Sequence, residues 1–511
     1  MGSVYAFLTH IYSSLTEKKD RRTTTLFFIG IIGLTLYRIL VLFQPHLSLF
    51  YDEAYYYHWS LTPDLGYYSK PPFIAWLIAT TTYLVGHSVV GVKLAAPILY
   101  SASGYVIYLS GQRIASRSVG IISAVVFLSA TVIGFNSVFI TTDAPLIFFW
   151  SLSIYLFIIS IQSNRTVHWI ALGLSVGCGM LSKYTMAALP LSLFLFLLIN
   201  PNQRTKLTSY KPWLAALIAG AIFSLNLWWN SENHWVTFAH TSEISQQDKS
   251  GFNLAGFFEF LAGQIFVIGP VWFFLALRLL KNRKDNLSSC KTEFDWLTQM
   301  LLFSTLVILV IIALQAITSR AYINWAAPWV VGCSLLIGIY ACNVNITKYL
   351  RIGLTAHLLL LSAFYHWPVL LDTLQVEPSR KNNPYQRLAG WDGVGMQLAP
   401  TLDQHPDHIL ASDSRHLLAY VGFHAKPGEG EFARWNPDGG NIRDHYDLKY
   451  NFRRHRDTNQ GFIFISKHPI EPDQRSKFDI VHALEPITEN VFKDKQHRVY
   501  TYRLQGFNGY E

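Results

Sequence analysis

Long runs of apolar residues, separated by short polar turns, constrain this chain more than any other feature of its sequence. About 20 apolar residues in a helix cross the roughly 30 Å hydrocarbon core of a bilayer, and many runs reach that length. In lipid, every backbone N–H and C=O group must be paired within its own segment, so these runs form helices. With 51% hydrophobic and 14% charged residues, the sequence predicts an all-α polytopic membrane domain and excludes an ordinary soluble fold.

The apolar runs predict about 11 to 13 transmembrane helices together with interfacial helices. The segment 71–87 is apolar but short and begins with two prolines, so whether it crosses the membrane stays open. The predicted spans lie near 26–44, 92–110, 118–137, 142–161, 168–182, 184–200, 212–229, 254–280, 296–317, 323–342 and 350–371.

The positions of the basic residues predict the orientation of these spans, because short cytoplasmic loops are enriched in Lys and Arg. If segment 71–87 lies at the interface and the N-terminus is cytoplasmic, every basic short loop falls on the cytoplasmic side. We therefore expect a multi-pass inner-membrane protein with outer loops at 45–71 and 230–253. The net charge of +9 then reflects topology and contact with membrane lipids, and no basic stripe indicates nucleic acid.

The composition changes near residue 372, where a polar stretch with turn residues and short β-like runs begins. Two such runs are Ile463–Ser466 and Val499–Leu504, and Ile409–Val421 is typical of a strand followed by a helix. The sequence thus predicts a transmembrane domain over 1–371 and a soluble, periplasmic (extracytoplasmic) α/β domain over 372–511.

Acidic residues stand at two predicted outer positions. Asp52 and Glu53 follow the first span directly, and Asp143 begins another span on the same face. Ionisable groups at membrane depth are costly and usually functional. Two structural explanations stay open: an interfacial aromatic belt with solvated carboxylates around Asp52, and a helix cap at Asp143 with Pro145 in the first turn.

Three cations, Lys70, Lys183 and Arg320, are predicted on the same outer face. Lys183 interrupts an apolar stretch too long for one span and marks a tight outer turn, although a lysine there could also extend to the lipid headgroups. Cations beside carboxylates are the arrangement that holds an anionic substrate next to a base.

Together these residues predict the chemistry of sugar transfer from a lipid phosphate. That reaction needs a carboxylate to take the acceptor proton and cations to stabilise the departing phosphate. We expect Asp52, Asp143 and Glu53 to be catalytic and the three cations to bind the donor phosphate, all in one pocket at the outer leaflet.

The outer loop 230–253 contributes His234, Trp235 and His240 as candidate substrate-contacting residues. Neither the loop histidines nor the four cysteines have the spacing of a metal site. Loop histidines usually face solvent or form hydrogen bonds, so they do not by themselves indicate a metal site. A divalent metal cofactor is left open.

Five motifs carry a family resemblance. In chain order they are Asp52-Glu53, Gly66-Tyr-Tyr-Ser-Lys-Pro-Pro72, Thr142-Asp-Ala-Pro145, Gly179-Met-Leu-Ser-Lys183 and Asn324-Trp-Ala-Ala-Pro328. Their order and their positions relative to the spans resemble those of the GT-C membrane glycosyltransferases. The similarity is to the protein O-mannosyltransferase-like branch (glycosyltransferase family 39), which includes the aminoarabinose lipid A transferases.

The resemblance implies that Asp52 is the general base and that Asp143 orients the acceptor or the base. It assigns Lys70 and Lys183 to the phosphate of a polyprenyl-phosphate-linked sugar donor, and it implies direct displacement with inversion. The implied acceptor is lipid A, another glycan or a protein. Ser69 stands where the aminoarabinose transferases have an acidic residue associated with metal, so the metal requirement and the sugar stay open.

Two other classes of protein share the many spans and the charged groups. A lipid-linked sugar flippase or solute transporter is expected to show internal repeats or helices broken at the membrane midplane, and the sequence shows neither. A noncatalytic envelope scaffold fits the polar C-terminal region but gives the paired carboxylates and cations no role.

Overall fold

The computed structural model of the protein describes residues 21–245, 252–281, 294–343 and 346–511, apart from 427, 429, 439–440 and 457. Part of the predicted outer loop, residues 246–251, lies outside these ranges. The chain divides into two compact units. The first contains the described residues of Met1–Val41 together with Ala95–Glu232 and Ala239–Tyr365, and the second contains Leu42–Leu94, Asn233–Phe238 and His366–Glu511.

Helices dominate the chain up to residue 373. In order they are α1 (Arg21–Val41), α2 (Tyr51–Ser60), α3 (Phe73–Val85), α4 (Val89–Lys93), α5 (Ala95–Ile114), α6 (Arg117–Ser129), α7 (Thr131–Asn136), α8 (Asp143–Ser163), α9 (Thr166–Ser182), α10 (Ala188–Ile199), α11 (Tyr210–Glu232), α12 (Val236–Ser245), α13 (Leu254–Ile268), α14 (Pro270–Lys281), α15 (Phe294–Thr318), α16 (Trp329–Asn343), α17 (Thr347–Tyr365) and α18 (Trp367–Thr373).

The prediction of an apolar helical membrane domain is confirmed. Among the described residues, five helices are long and apolar enough to cross a membrane: Arg22–Val41, Val89–Ile114, Asp143–Ser163, Tyr210–Glu232 and Trp296–Thr318. Shorter apolar helices of 10–17 residues, among them Phe73–Val85 in the segment left open above, accompany them.

The predicted spans 118–137, 254–280 and 350–371 are each divided into two helices: α6 and α7, α13 and α14, and α17 and α18. The last pair is bent by 87°. Helices α13 and α14 meet at Gly269 with a bend of 104°. Gly269 has φ +100°, and a Cβ there would lie 2.2 Å from the His357 ring, so only glycine fits. Pro270 then starts a new helix, because it has no N–H to continue the old one.

Small residues allow the helices of the first unit to approach closely. A Cβ on Gly111 of α5 would lie 2.7 Å from the Cα of Gly120 on α6. A Cβ on Gly173 of α9 would lie 2.6 Å from the carbonyl oxygen of Ala215 on α11. Such contacts are typical of membrane helices, which associate through close packing, and they fix the end of α9 where Lys183 follows.

The C-terminal region forms a mixed six-stranded sheet with helices. Its helices are α19 (Trp391–Gln404), α20 (Arg415–Ala425), α21 (His445–Tyr450) and α22 (Pro472–Arg475), and its strands are β1 (His408–Ser412), β2 (Phe432–Arg434), β3 (Gly461–Ser466), β4 (Phe478–Ala483), β5 (Ile487–Phe492) and β6 (Lys495–Phe507).

The strand order is β2-β1-β3-β6-β4, with β5 also paired to β6. Strand β1 runs parallel to β2 and β3, whereas β6 is antiparallel to β3, β4 and β5. Buried aromatic side chains such as Trp435, Phe452 and Phe464 fill the core. The predicted α/β region is confirmed, and the strand and helix expected over Ile409–Val421 correspond to β1 and α20.

The first outer loop belongs to the same compact unit as the C-terminal region. Helix α2 packs against α20, and the ring of Tyr57 meets that of Phe423 edge-on at 4.8 Å. A Cβ on Gly422 would lie 2.9 Å from the His58 ring, so this glycine permits the close approach. The division predicted at 371–372 from composition stays a prediction.

Candidate active site

Asp143 lies at the centre of a polar cluster in the first unit. Its side chain is buried, and its two carboxylate oxygens accept from different partners. Lys183 Nζ donates to Oδ1 at 2.6 Å, and Asn324 Nδ2 donates to Oδ2 at 3.2 Å. Three of the five motifs, far apart in sequence, therefore meet at one carboxylate.

The local backbone explains why these groups meet. Thr142 is the N-cap residue of α8, and Asp143 is its first helical residue with Pro145 in the first turn. The Asp143 carboxylate is thus directed to Lys183 and does not act as the side-chain cap considered above. Lys183 ends α9 in an extended conformation with φ −163°, and its backbone N–H donates to Gly179 O at 3.1 Å.

The Lys183 side chain is 13% exposed. Its ammonium group therefore pairs with a buried carboxylate instead of extending to the headgroups.

Asp52 lies in the first turn of α2, in the second unit. It is partly buried, and this burial raises the pKa of its carboxyl above the ordinary value of 3.8. The positive charges of Lys70 and Arg415 and a hydrogen bond from Tyr51 act in the opposite direction on the pKa. A desolvated carboxylate whose pKa is raised is a better proton acceptor near neutral pH than a solvated one.

Lys70 is held at the end of a short turn. Tyr67 N–H donates to Lys70 O at 3.1 Å, and Thr237 Oγ1 donates to Tyr67 O at 2.8 Å. The Tyr67 ring stacks on Trp59 of α2 at 4.8 Å with an interplanar angle of 3°. This turn fixes the backbone of the Lys-Pro-Pro motif against the helix that carries Asp52.

Glu53 occupies a different environment from its neighbour Asp52. Its Oε2 lies 3.0 Å from Lys93 Nζ, and the two side chains are 1% and 0% exposed. The same oxygen accepts from Phe50 N–H at 2.8 Å, which secures the start of α2. Sequence analysis missed Lys93, although a lysine within the predicted span 92–110 was a signal.

Arg415 is the second residue that sequence analysis missed. It is the first residue of α20 in the C-terminal region, and its charge acts on Asp52. Its guanidinium carbon lies 6.0 Å from the centre of the Tyr51 ring. One arginine in a polar region carries no sequence signal, and only the packing of α20 on α2 reveals it.

The remaining predicted site residues lie at the surface or partly buried. Arg320 is exposed, and its guanidinium carbon lies 4.6 Å from the centre of the Tyr322 ring. His234 and Trp235 are exposed, each with φ 56°, just before α12. His240 Nδ1 lies 3.7 Å from the Glu243 carboxylate.

The structure brings the predicted residues together in two clusters. Asp143 meets Lys183 in the first unit, and Asp52 meets the charge of Lys70 in the second. That both clusters form one pocket stays a prediction. Within the described ranges, no group of three or more His, Cys, Asp or Glu side chains is arranged to hold a metal ion.

Comparisons with known proteins agree with the motifs. The family model of dolichyl-phosphate-mannose-protein mannosyltransferases matches residues 69–229. The lipid A galacturonosyltransferase RgtD of Rhizobium johnstonii is 28% identical over 402 residues, which are 76% of this chain and 80% of that protein. An undecaprenyl phosphate-α-4-amino-4-deoxy-L-arabinose arabinosyl transferase of Pseudomonas savastanoi is 29% identical over 163 residues, 31% of this chain and 30% of the relative.

Solved structures show the same fold. ArnT from Cupriavidus metallidurans in the apo state matches with a TM-score of 0.59 and 15% identity, over 93% of this chain and 98% of that one. Its complex with undecaprenyl phosphate matches equally well, with a TM-score of 0.59. Fold, motifs and relatives together confirm the resemblance: the chain is an integral inner-membrane glycosyltransferase that is similar in fold and motifs to the GT-C enzymes.

Proposed function

We propose that this protein moves a single sugar from a polyprenyl-phosphate carrier to lipid A at the outer face of the inner membrane, with inversion at the anomeric carbon. The relatives support both substrates, since RgtD is a lipid A galacturonosyltransferase and an aminoarabinose relative acts with undecaprenyl phosphate. ArnT, which has the same fold, was solved with undecaprenyl phosphate bound. The N-terminus is cytoplasmic and the C-terminal region periplasmic in this proposal.

The observation that carries the proposal is the environment of Asp52. Burial raises the pKa of its carboxyl, and two cations, Lys70 and Arg415, act on it within the same unit. A base beside cations is what a reaction with a departing phosphate requires, because one group must take a proton while others neutralise new negative charge.

In the proposed step, an acceptor hydroxyl oxygen attacks the anomeric carbon and its proton passes to Asp52. The bond between the anomeric carbon and the phosphate oxygen breaks, and its electron pair stays on the phosphate. Lys70 offsets that charge, so polyprenyl phosphate leaves without a general acid. An acceptor phosphate, already ionised, would attack without transferring a proton.

Asp143 has a supporting role in this proposal. Both of its oxygens already accept hydrogen bonds, from Lys183 and Asn324, so it holds these two groups in place. We assign it the further role of orienting the acceptor. Lys183 and Arg320 are assigned to the donor phosphate. The loop residues His234, Trp235 and His240 are assigned to contacts with the substrate.

Mass spectrometry of lipid A, surface glycan and envelope proteins, from cells with and without the protein, tests the proposal. We expect lipid A to gain one sugar only when the protein is present. A gain confined to surface glycan or protein would overturn lipid A as the acceptor, and no gain in any fraction would overturn transfer itself.

The matched variants for the same experiment are Asp52→Asn and Asp64→Asn. Both remove one carboxylate from the first outer loop, but the Asp64 carboxylate pairs with Lys449 at 3.1 Å in a partly exposed contact and accepts from Leu65 N–H at 2.8 Å. We expect Asp52→Asn to abolish the mass gain and Asp64→Asn to retain it.

A further inference from the structure

An apolar cavity of about 290 Å³ lies between helices α8, α9, α10 and α11 of the first unit. All the residues that line it are aliphatic, aromatic, methionine, proline or glycine. A cavity of about 150 Å³ between apolar side chains already takes up a molecule the size of benzene. This cavity therefore has room for a stretch of hydrocarbon chain.

The cavity opens at the surface of the helical unit. Phe194 of α10 and Trp213 of α11 both line it and are both exposed, with ring centres 6.4 Å apart. Gly220 of α11 also lines it and is exposed, and a Cβ there would meet nothing within 4 Å. An apolar opening between membrane helices faces lipid, so a lipid chain can enter it from the bilayer.

One end of α9 and α11 carries a cluster of positive charge. Two short loops there, residues 164–165 and 200–211, contain four cations and no carboxylate: Arg165, Arg204, Lys206 and Lys211. Lys211 Nζ donates to Asn164 O at 2.6 Å, which joins the two loops.

The basic loops lie at the rim of the cavity. Leu207, next to Lys206, lines the cavity, and its carbonyl oxygen accepts from Trp213 Nε1 at 2.9 Å. Arg204 is exposed and Lys206 is half-buried in the same short turn, Arg204–Thr208. Basic groups beside a pocket between membrane helices are typical of sites for anionic lipid headgroups, and tryptophan favours the same interfacial level.

This basic rim is distant from the Lys183 cluster. Arg165 precedes α9 and Lys183 follows it. A helix of 17 residues is about 25 Å long at 1.5 Å per residue. A carrier whose phosphate lies at Lys183 cannot place that same phosphate at the rim, so charge complementarity here favours a different lipid.

We propose that the cavity holds an acyl chain of an anionic phospholipid whose phosphate lies against Arg204 and Lys206. The chain buries apolar surface, and the two cations offset the charge of the headgroup. In the proposed orientation the rim is cytoplasmic, where the membrane surface carries anionic lipids. This lipid is neither donor nor acceptor, so the inference goes beyond the proposed function and does not depend on it.

The test uses phosphatidylglycerol with a photoactivatable group in one acyl chain, and phosphatidylcholine with the same group as the uncharged comparison. The purified full chain is placed in phosphatidylcholine nanodiscs with increasing mole fractions of either probe. Cross-links on residues 157–220 are mapped by mass spectrometry. We expect the phosphatidylglycerol probe to saturate this segment at a much lower mole fraction than the phosphatidylcholine probe.

Two variants separate the chain from the headgroup. Gly220→Leu fills the cavity and should raise the half-saturating mole fraction of the phosphatidylglycerol probe by about tenfold or more, since each displaced methylene group costs about fourfold in affinity. Arg204→Gln with Lys206→Gln should raise it by about 30-fold, at about fivefold for each cation.

Each variant has a matched control. Gly33→Leu is the control for the cavity, because Gly33 of α1 is also exposed, a Cβ there would also meet nothing within 4 Å, and it lies outside the cavity lining. Lys348→Gln with Arg351→Gln is the control for the charge, because it removes two exposed cations at the start of α17. Both controls should keep the wild-type curve, and thermal unfolding of each variant shows whether it is folded.

The opposite results overturn the inference. Equal curves for the two probes, or a wild-type curve for the Arg204 and Lys206 variant, would exclude the anionic headgroup. A wild-type curve for Gly220→Leu would exclude the chain from the cavity. Displacement of the phosphatidylglycerol probe by equimolar undecaprenyl phosphate would assign the cavity to the carrier. Lipid binding is measured without sugar transfer, so failure here is distinguishable from failure of the proposed function.

Discussion

The buried ion pair between Glu53 and Lys93 allows the sharpest stability prediction. Its atoms lie 3.0 Å apart with almost no solvent exposure, so removing one partner leaves the other charge buried without its counter-ion. Such a change costs about 3–5 kcal/mol. Glu53→Gln keeps an oxygen for Phe50 N–H but loses the charge, and Lys93→Met keeps the apolar stem. We expect each single variant to be destabilised by about 3 kcal/mol or more.

The double variant Glu53→Gln with Lys93→Met removes both charges together. It should be clearly more stable than either single variant, because no isolated charge stays buried. The assay is thermal unfolding of the purified protein in detergent at one fixed heating rate. For a unit of about 200 residues, 1 kcal/mol shifts the Tm by about 2–4 °C, so the single variants should unfold roughly 10 °C below the wild type.

Single variants with the Tm of the wild type would refute this reasoning. Turnover of the double variant also decides the role of Glu53. Near-normal turnover would mean that Glu53 is structural, whereas a folded but inactive double variant would support the catalytic role predicted from sequence.

Four further predictions concern the charged clusters. Asp143→Asn should leave a folded protein with little turnover, because Lys183 loses its buried counter-ion; normal turnover would remove Asp143 from the mechanism. Asn324→Ala should reduce turnover by at most about tenfold, since one hydrogen bond contributes about 1 kcal/mol, and a larger loss at unchanged Tm would contradict the supporting role. Since burial raises the pKa of Asp52 and only its ionised form accepts a proton, kcat/KM should fall as the pH drops through a value above 3.8. The charge of Lys70 lowers the pKa of Asp52, so Lys70→Ala should move this fall in kcat/KM to higher pH, and it should also raise the KM for the donor. An unchanged pH profile and an unchanged KM would refute the interaction of Lys70 with Asp52 and with the donor phosphate.

The sequence predicted the members of the Asp143 cluster but not their pairing. Ionisable groups are costly within an apolar run and usually functional there, so the sequence indicates Asp143 and Lys183 as candidate site residues. Asn324 lies 181 residues from Asp143, and no local pattern specifies that contact. Long-range packing, such as the glycine contacts of α9 with α11, decides it.

The C-terminal region shows the same limit. The local pattern of apolar, polar and turn residues predicted the strand and helix of Ile409–Val421, because both elements depend on local periodicity. The pairing of β1 with β2 and β3 depends on contacts distant in sequence. Nothing in the sequence around Arg415 indicates a role for it. Only the packing of α20 on α2 makes this arginine a candidate site residue.

Asp52 carries the central claim, and turnover of Asp52→Asn tests it most directly. The purified variant is assayed with a polyprenyl-phosphate-linked sugar and lipid A, beside the wild type and Asp64→Asn. The account predicts that Asp52→Asn binds the donor, keeps the wild-type Tm and loses turnover by about 10²- to 10⁴-fold, the usual contribution of a general base, while Asp64→Asn stays active. Turnover of Asp52→Asn within a few-fold of the wild type would contradict the account.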